Sequence, residues 1–303
     1  MDRTRLVGTD RLVGTGLALL SATAFGVMPV LTKLVYRDGV GVLGVLSLRF
    51  SLAALVLLAI ARARGEALPR GRTLLGLVLL GGVGYTVEAA CYFLALERVG
   101  AGLTALLLYF YPALVVVLAA VLLGVRPRPA GLLCVAGATA GTVLTVGPVE
   151  GGQLAGVLLG LGAALSYALY IVASSRLAAG VGPFATSGVV MGSCAVVYDT
   201  VALAAGAAVP HRAGAWLALL GVALVGTVVA VSAFFAALER LGAADTAVVS
   251  TFEPVVSVMV AAAVLGEHLG PAQLSGAVLV LAAVLALARL RPVAEVEQEA
   301  VPA

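Results

Sequence analysis

The sequence predicts an all-α integral membrane protein of ten transmembrane helices, arranged as two inverted five-helix repeats. Three observations predict it. The chain is 62% hydrophobic and 11% charged, with a mean hydropathy of +1.15. A soluble domain is about half apolar and about a quarter charged. The chain also divides into ten apolar runs, each near the roughly 20 residues that cross a bilayer. Finally, its halves match across a shift of 142 residues. Ala95-Leu96-Glu97-Arg98, Gly100-Ala101, Thr104-Ala105, Phe110 and Pro112 recur as Ala237-Leu238-Glu239-Arg240, Gly242-Ala243, Thr246-Ala247, Phe252 and Pro254. Phe25-Gly26 falls on Tyr167-Ala168, and Pro129-Ala130 on Pro271-Ala272.

Cutting at charges and at Pro/Gly clusters places the spans in order. They are approximately Leu12–Tyr36, Val40–Ala61, Thr73–Leu96, Ala101–Gly124, Ala130–Val146, Leu154–Arg176, Pro183–Ala205, Ala215–Leu238, Ala244–Gly266 and Pro271–Leu290. The first repeat therefore covers 12–146 and the second 154–290, and 291–303 is a polar tail expected to be disordered and cytoplasmic. Pro29 predicts a kink in the first span, and Pro112 and Pro254 predict breaks in the fourth and ninth, because proline removes a backbone donor. Gly137 to Gly141 and Gly156 to Gly160 have the spacing of close helix crossings. The first apolar run is too long for a signal peptide.

Charge orients the bundle. With both termini in the cytoplasm, thirteen arginines face inward and three, Arg37, Arg98 and Arg212, face outward; basic loop residues favour the cytoplasmic side. Five helices per half is an odd number, so the second half enters the membrane from the opposite side. That is an inverted repeat, and it predicts a binding cavity between the halves.

Ionisable side chains within spans are costly and mark candidate sites. Glu253 stands beside Pro254 near the middle of the ninth span and suits a proton carrier or an amine ligand; a structural ion pair or a neutral buried carboxyl is the alternative. Tyr85, Glu88 and Tyr92 share one helical face of the third span. That face lines a path for an aromatic or cationic solute, or Glu88 pairs with Arg49. Arg49, whose repeat mate is Met191, serves as a counter-ion or as a ligand for a substrate carboxylate. Lys33 snorkels to the interface on the simpler account, and Asp199 lies near a span end. Aromatic residues gather at matched mid-span positions: Phe25, Tyr109-Phe110-Tyr111, Tyr167 and Tyr170. These side chains are expected to line a cavity, with helix packing as the competing account.

Several classes are excluded or disfavoured. No GxxxxGK[ST] loop is present, so direct ATP drive is not expected. His211 and His268 are isolated, and Cys91, Cys134 and Cys194 have no ligand spacing, so neither a metal nor another cofactor is expected. The acidic residues are spread singly, unlike the clustered motifs of lipid-modifying membrane enzymes, and the arginines form no basic face for nucleic acid.

Glu253-Pro254-Val255 followed by Leu265-Gly266-Glu267, Ser166-Tyr167-Ala168-Leu169-Tyr170 leading to Arg176, the paired Pro112 and Pro254, and the twice-used Ala-Leu-Glu-Arg together resemble the drug/metabolite transporter superfamily, in its ten-helix EamA group. The resemblance spans about residues 12–290. It implies a multi-pass protein of the cytoplasmic membrane that exports amino acids, other metabolites or drugs. Multidrug or nucleotide-sugar carriage, or a non-transporting scaffold, are the other readings. The expected partners are a small-molecule solute, the bilayer and, as a candidate coupling ion, the proton. Both monomer and homodimer stay open. One departure stands out: the family often ends its fourth helix with Gly-Glu, whereas this chain has Gly124-Val125-Arg126, so Glu267 has no mate.

Overall fold

The computed structural model describes residues 3–111, 113–114, 117–118, 121, 129–146, 153–177, 181–250 and 252–289. Among these residues the chain is helical, with no strand. Helix α1 is Arg3–Tyr36 and α2 is Val42–Ala63. Helix α3 runs over Gly71–Arg98, with a π-helical segment at Leu80–Tyr85. Helix α4 starts at Ala101–Leu108; α5 is Pro129–Val146, α6 Gln153–Leu177 and α7 Pro183–Ala205. Helix α8 comprises Ala213–Leu220, a π segment at Gly221–Val229 and Ala230–Ser250. Helix α9 is Phe252–Val260 with a π segment at Ala261–Leu265, and α10 is Pro271–Arg289. Pro112 and the 291–303 tail lie outside the described residues.

One sequence expectation differs from the structure. The helical hydrogen-bond pattern continues over Ala230–Ser250, across the connection expected after Leu238. Yet Ser21 meets Ala230, and Gly26 meets Ser257. Those α1 positions are about 7.5 Å apart at 1.5 Å per residue, so the chain reverses between Ala230 and Ser257. Helix α1 runs on through Pro29, as a helix kinked at a proline does.

The most extensive packing joins one repeat to the other. Helix α1 packs on α8, α2 on α7, α3 on α6, α4 on α9 and α5 on α10. The shift of 142 residues carries α1 to α6 and α8 to α3, so the α1–α8 and α6–α3 contacts are one contact seen twice. The other three pairs each join a helix to its own mate. This is the contact pattern of a two-fold exchange.

Three carboxylates fix which helix ends share a face. Lys33 at the end of α1 donates its Nζ to Val99 O, just past α3, at 2.9 Å. Asp38, just past α1, accepts the backbone N–H groups of His211 and Arg212 at 2.8 and 3.3 Å, before α8 begins. So α3 ends on the face where its mate α8 starts, and the repeat is inverted. Glu66 accepts the Ala185 N–H of α7 at 2.7 Å on the opposite face. Glu267 accepts the Ala101 and Gly102 N–H groups of α4 at 3.0 and 3.3 Å. Helix N-termini carry unpaired N–H groups and partial positive charge, which carboxylates satisfy.

Apolar side chains cover the outside: Leu203 is 83% and Leu133 74% exposed. Lipid is the solvent that leaves such a surface stable. The α5–α10 crossing is closed by glycines. A Cβ on Gly276 would lie 2.5 Å from Thr145 N and 2.6 Å from Gly141 O.

Two outcomes follow from these contacts. Gly276→Ala is expected to lower stability in detergent by about 1–3 kcal/mol, the range for overpacking, read as a lowered Tm, while Gly16→Ala, where a Cβ meets nothing within 4 Å, does not lower Tm, since alanine suits a helix interior better than glycine. The His211 and Arg212 N–H bonds hold the Asp38 carboxyl below its usual range. Its stabilisation is therefore present above the unfolded pKa of about 3.9 and is lost as pH falls through the lower folded value. The protection factors of the His211 and Arg212 amides are expected to fall only at that low pH, and in Asp38→Asn to be low at neutral pH as well.

Candidate functional site

The intramembrane polar groups gather where α2, α3, α8 and α9 approach the middle of the bundle. Arg49 of α2 is 2% exposed and Glu88 of α3 is 6% exposed. The apolar periodicity of α2 continues through Arg49, so the guanidinium is carried inward with its neighbours Leu46, Phe50 and Ala53. Its carbon lies 4.9 Å from the Phe50 ring centroid and 5.0 Å from that of Phe93, a pair of cation–π contacts that partly offset the cost of burial. Its Nε donates to Thr227 Oγ1 at 3.0 Å, and Thr227 donates to Val222 O at 3.0 Å. Thr227 lies in the π segment of α8, and its repeat mate Tyr85 closes the matching π segment of α3. π-helical turns leave irregular backbone at functional sites more often than elsewhere. Here they place mated residues beside the guanidinium and its aromatic cover.

Glu88 is within electrostatic range of both Arg49 and Glu253. Among the described residues no ion pair within 4.0 Å joins Glu88 to Arg49; the pairs there are Arg98–Glu97 and Arg212–Asp38. Arg49 and Glu88 therefore interact at longer range than an ion pair, and the Arg49 Nη groups donate no hydrogen bond among the described residues.

Glu253 sits in the first turn of its helical segment, followed by Pro254. Proline cannot donate to the carbonyl four residues back, which is that of Ser250. Tyr109 of α4 fills that vacancy: its hydroxyl lies 2.6 Å from Ser250 O and 2.9 Å from Glu253 Oε2, and its single proton is shared between the two acceptors. Helix α1 presses close at the same level. A Cβ on Gly26 would stand 2.7 Å from Glu253 O, and Ser257 Oγ donates to Gly26 O at 2.9 Å. Phe25 is half-buried beside it, and Pro29 is buried one turn further on.

An unbroken run of rings connects the two charged groups. Tyr109 lies 6.0 Å from Tyr111, Tyr111 4.8 Å from Tyr167, and Tyr167 6.1 Å from Tyr170. Tyr170 is 5.2 Å from Tyr85, Tyr85 is 5.9 Å from Phe50, and Phe50 stacks on Tyr198 at 5.6 Å. The rings come from α2, α3, α4, α6 and α7, hence from both repeats. Tyr92 is buried next to Phe93 on the Arg49 side and lies within electrostatic range of Glu253 and Glu88. Asp199 stands apart: Ser47 and Ser51 of α2 donate to its two oxygens, Ser51 at 2.7 Å. Those serines lie on the side of α2 away from Arg49.

Sequence reasoning placed Tyr109 among the cavity-lining aromatics without giving it a partner, and passed over Thr227. The signal for Tyr109 was the proline: a freed carbonyl in a membrane needs a donor, and the matched span α4 holds tyrosines. Thr227 carried no comparable signal.

Two inverted repeats with buried charge and aromatic side chains at their interface define a multi-pass membrane transporter. The EamA-like transporter family matches residues 12–147 and 154–289, and the chain belongs to it. A protein of Archaeoglobus fulgidus described as an uncharacterized transporter is 28% identical over 220 residues, which is 71% of this chain and 75% of that one. A crystal structure of another protein superposes with a TM-score of 0.62 at 22% identity, covering 97% of this chain and 99% of that chain, a likeness of fold.

Tyr109→Phe is expected to cost roughly 1–3 kcal/mol, because Ser250 O becomes an unsatisfied buried acceptor. Tyr111→Phe, at a hydroxyl that donates no hydrogen bond among the described residues, is expected to leave the Tm of the purified protein unchanged.

Proposed function

We propose that this transporter is a secondary carrier of the cytoplasmic membrane, with both termini cytoplasmic, that exports small metabolites by alternating access. Amino acids and related amphipathic compounds are the solute class the site favours. The observation that supports this reading is the buried Arg49, whose Nη groups donate no hydrogen bond among the described residues, within electrostatic range of Glu88, with Glu253 at the far end of the aromatic run. A guanidinium fork binds a carboxylate in two parallel hydrogen bonds. A carboxylate nearby binds an ammonium, and aromatic faces accept both apolar groups and cations. One small zwitterion satisfies all three.

Glu253 is the proton-coupling group in this reading. It is a carboxyl deep in the membrane, hydrogen-bonded to a phenol rather than to a cation, so it can be emptied and filled without breaking an ion pair. Exchange of a proton for solute then drives export, and no nucleotide is needed.

The test is efflux from proteoliposomes loaded with amino acids and with the corresponding decarboxylated amines, with and without a pH gradient. Selective, gradient-dependent efflux of amino acids is expected. Arg49→Lys keeps the charge but loses the fork, and is expected to raise KM for carboxylate-bearing solutes about tenfold to a hundredfold, the equivalent of one charged hydrogen bond at roughly 1.5–3 kcal/mol. Glu253→Gln is expected to remove the response to the gradient. An unchanged KM in the first variant, or an unchanged gradient response in the second, sinks the corresponding role.

A further inference from the structure

Glu267 borders two separate cavities on the arginine-poor face. One, of about 480 Å³, is lined by Lys33, Tyr36, Arg37, Glu97 and Leu265 besides Glu267. The other, of about 380 Å³, is reached past Gly100, Leu103, Leu144 and Gln153 and is again lined by Glu267. Between them the Glu267 carboxylate bridges from the end of α9 to the first two amides of α4.

The backbone is built for this bridge. Gly266 ends α9 with φ +71, a conformation that L side chains rarely adopt, and so turns the chain toward α4. Gly100 gives the carboxylate its seat, since a Cβ there would lie 2.6 Å from Glu267 Oε2. Helices α4 and α9 are repeat mates, and a second contact ties them deeper in, from Tyr109 to Ser250 and Glu253. A two-fold exchange would require the same bridge at the opposite face, from residue 125 to the amides of Ala243 and Ala244. Residue 125 is valine, which accepts no hydrogen bond.

We infer that Glu267 is a gating residue of the transport path: its bond to the α4 N-terminus closes the arginine-poor face, and breaking it joins the two cavities into one opening. Lys33 lies within electrostatic range of Glu267 and receives the released carboxylate. The closed position is two charge-assisted hydrogen bonds at a helix N-terminus; the open one is an ion pair in a wetter vestibule. Val125 offers no side-chain acceptor for a matching bridge at the opposite face, and in this inference the unloaded carrier rests closed at the Glu267 face. The inference rests on alternating access, and is independent of which solute is carried.

The experiment reads opening directly. In protein with Cys91, Cys134 and Cys194 replaced, Leu103→Cys places a thiol in the second cavity. Its labelling by a membrane-impermeant maleimide, added at the Glu267 face of proteoliposomes, is compared across variants. Glu267→Ala is expected to quicken labelling at least tenfold and Glu267→Gln by less, since the amide keeps one acceptor oxygen. Glu97→Gln, which lines the first cavity without touching α4, is expected to label at the parent rate. Should the alanine variant fail to fold, the glutamine variant carries the test. Labelling at the parent rate in a folded Glu267 variant overturns the inference. Because no solute is involved, faster labelling together with absent amino acid efflux upholds the gate and rejects the solute assignment.

Discussion

The structure depends on one constraint: in the hydrocarbon core, a polar group is satisfied by the protein or not at all. Lipid offers no hydrophobic force to push one helix against another, so packing and hydrogen bonds across helices must hold the bundle. The cross-repeat bonds answer both needs at once. Asp38, Glu66 and Glu267 each leave one repeat and cap a helix of the other. Ser21 and Ser257 bind carbonyls across α1. The polar groups that would otherwise be liabilities become the pins between two halves that share no covalent constraint beyond a single connection.

The same constraint shapes the centre. Pro254 frees the Ser250 carbonyl, and Tyr109 is spent on satisfying it. That hydroxyl carries one proton, and it also meets Glu253. The helix break and the carboxyl therefore compete for one donor, so a change in the charge of Glu253 is felt by the backbone of α9. The π segments act similarly. An extra residue in a turn leaves its carbonyls without their usual donors, and Thr86 and Thr227 hydroxyls return to Gly81 O and Val222 O to fill that role. Thr227 then has an oxygen left for Arg49.

Much of this was legible in the sequence because hydropathy and repetition are local or periodic signals. Leu12–Tyr36 needs only its own composition to be read as a span, and Ala95 to Arg98 needs only its copy at 237. Arg49, Glu88 and Glu253 stand out because charge is rare in such runs. Partnership was not legible. Glu267 and Ala101 are 166 residues apart, and nothing periodic links them. Tyr109 and Tyr111 are both aromatic neighbours of Pro112, and only the rotation of α4 decides which one meets Glu253. The pairing of Glu88 with Arg49 was a natural expectation for two buried opposite charges. Thr227 and the rings of Phe50 and Phe93 occupy the Arg49 surface instead.

The two-fold relation holds for the scaffold and fails for the chemistry. Arg49 falls on Met191, Glu88 on Ala230, Glu253 on Tyr111 and Glu267 on Val125. A carrier with two identical halves would have equal free energies open to either side, and its direction would come from gradients alone. Each charged residue that departs from the repeat adds a term to one of those states only. A ligand or a proton shifts an equilibrium by its differential affinity for the two states, and differential affinity needs asymmetric groups at a symmetric hinge. In the proposed alternating access, inverted duplication supplies the hinge, and the four unmatched side chains supply the difference between its two positions.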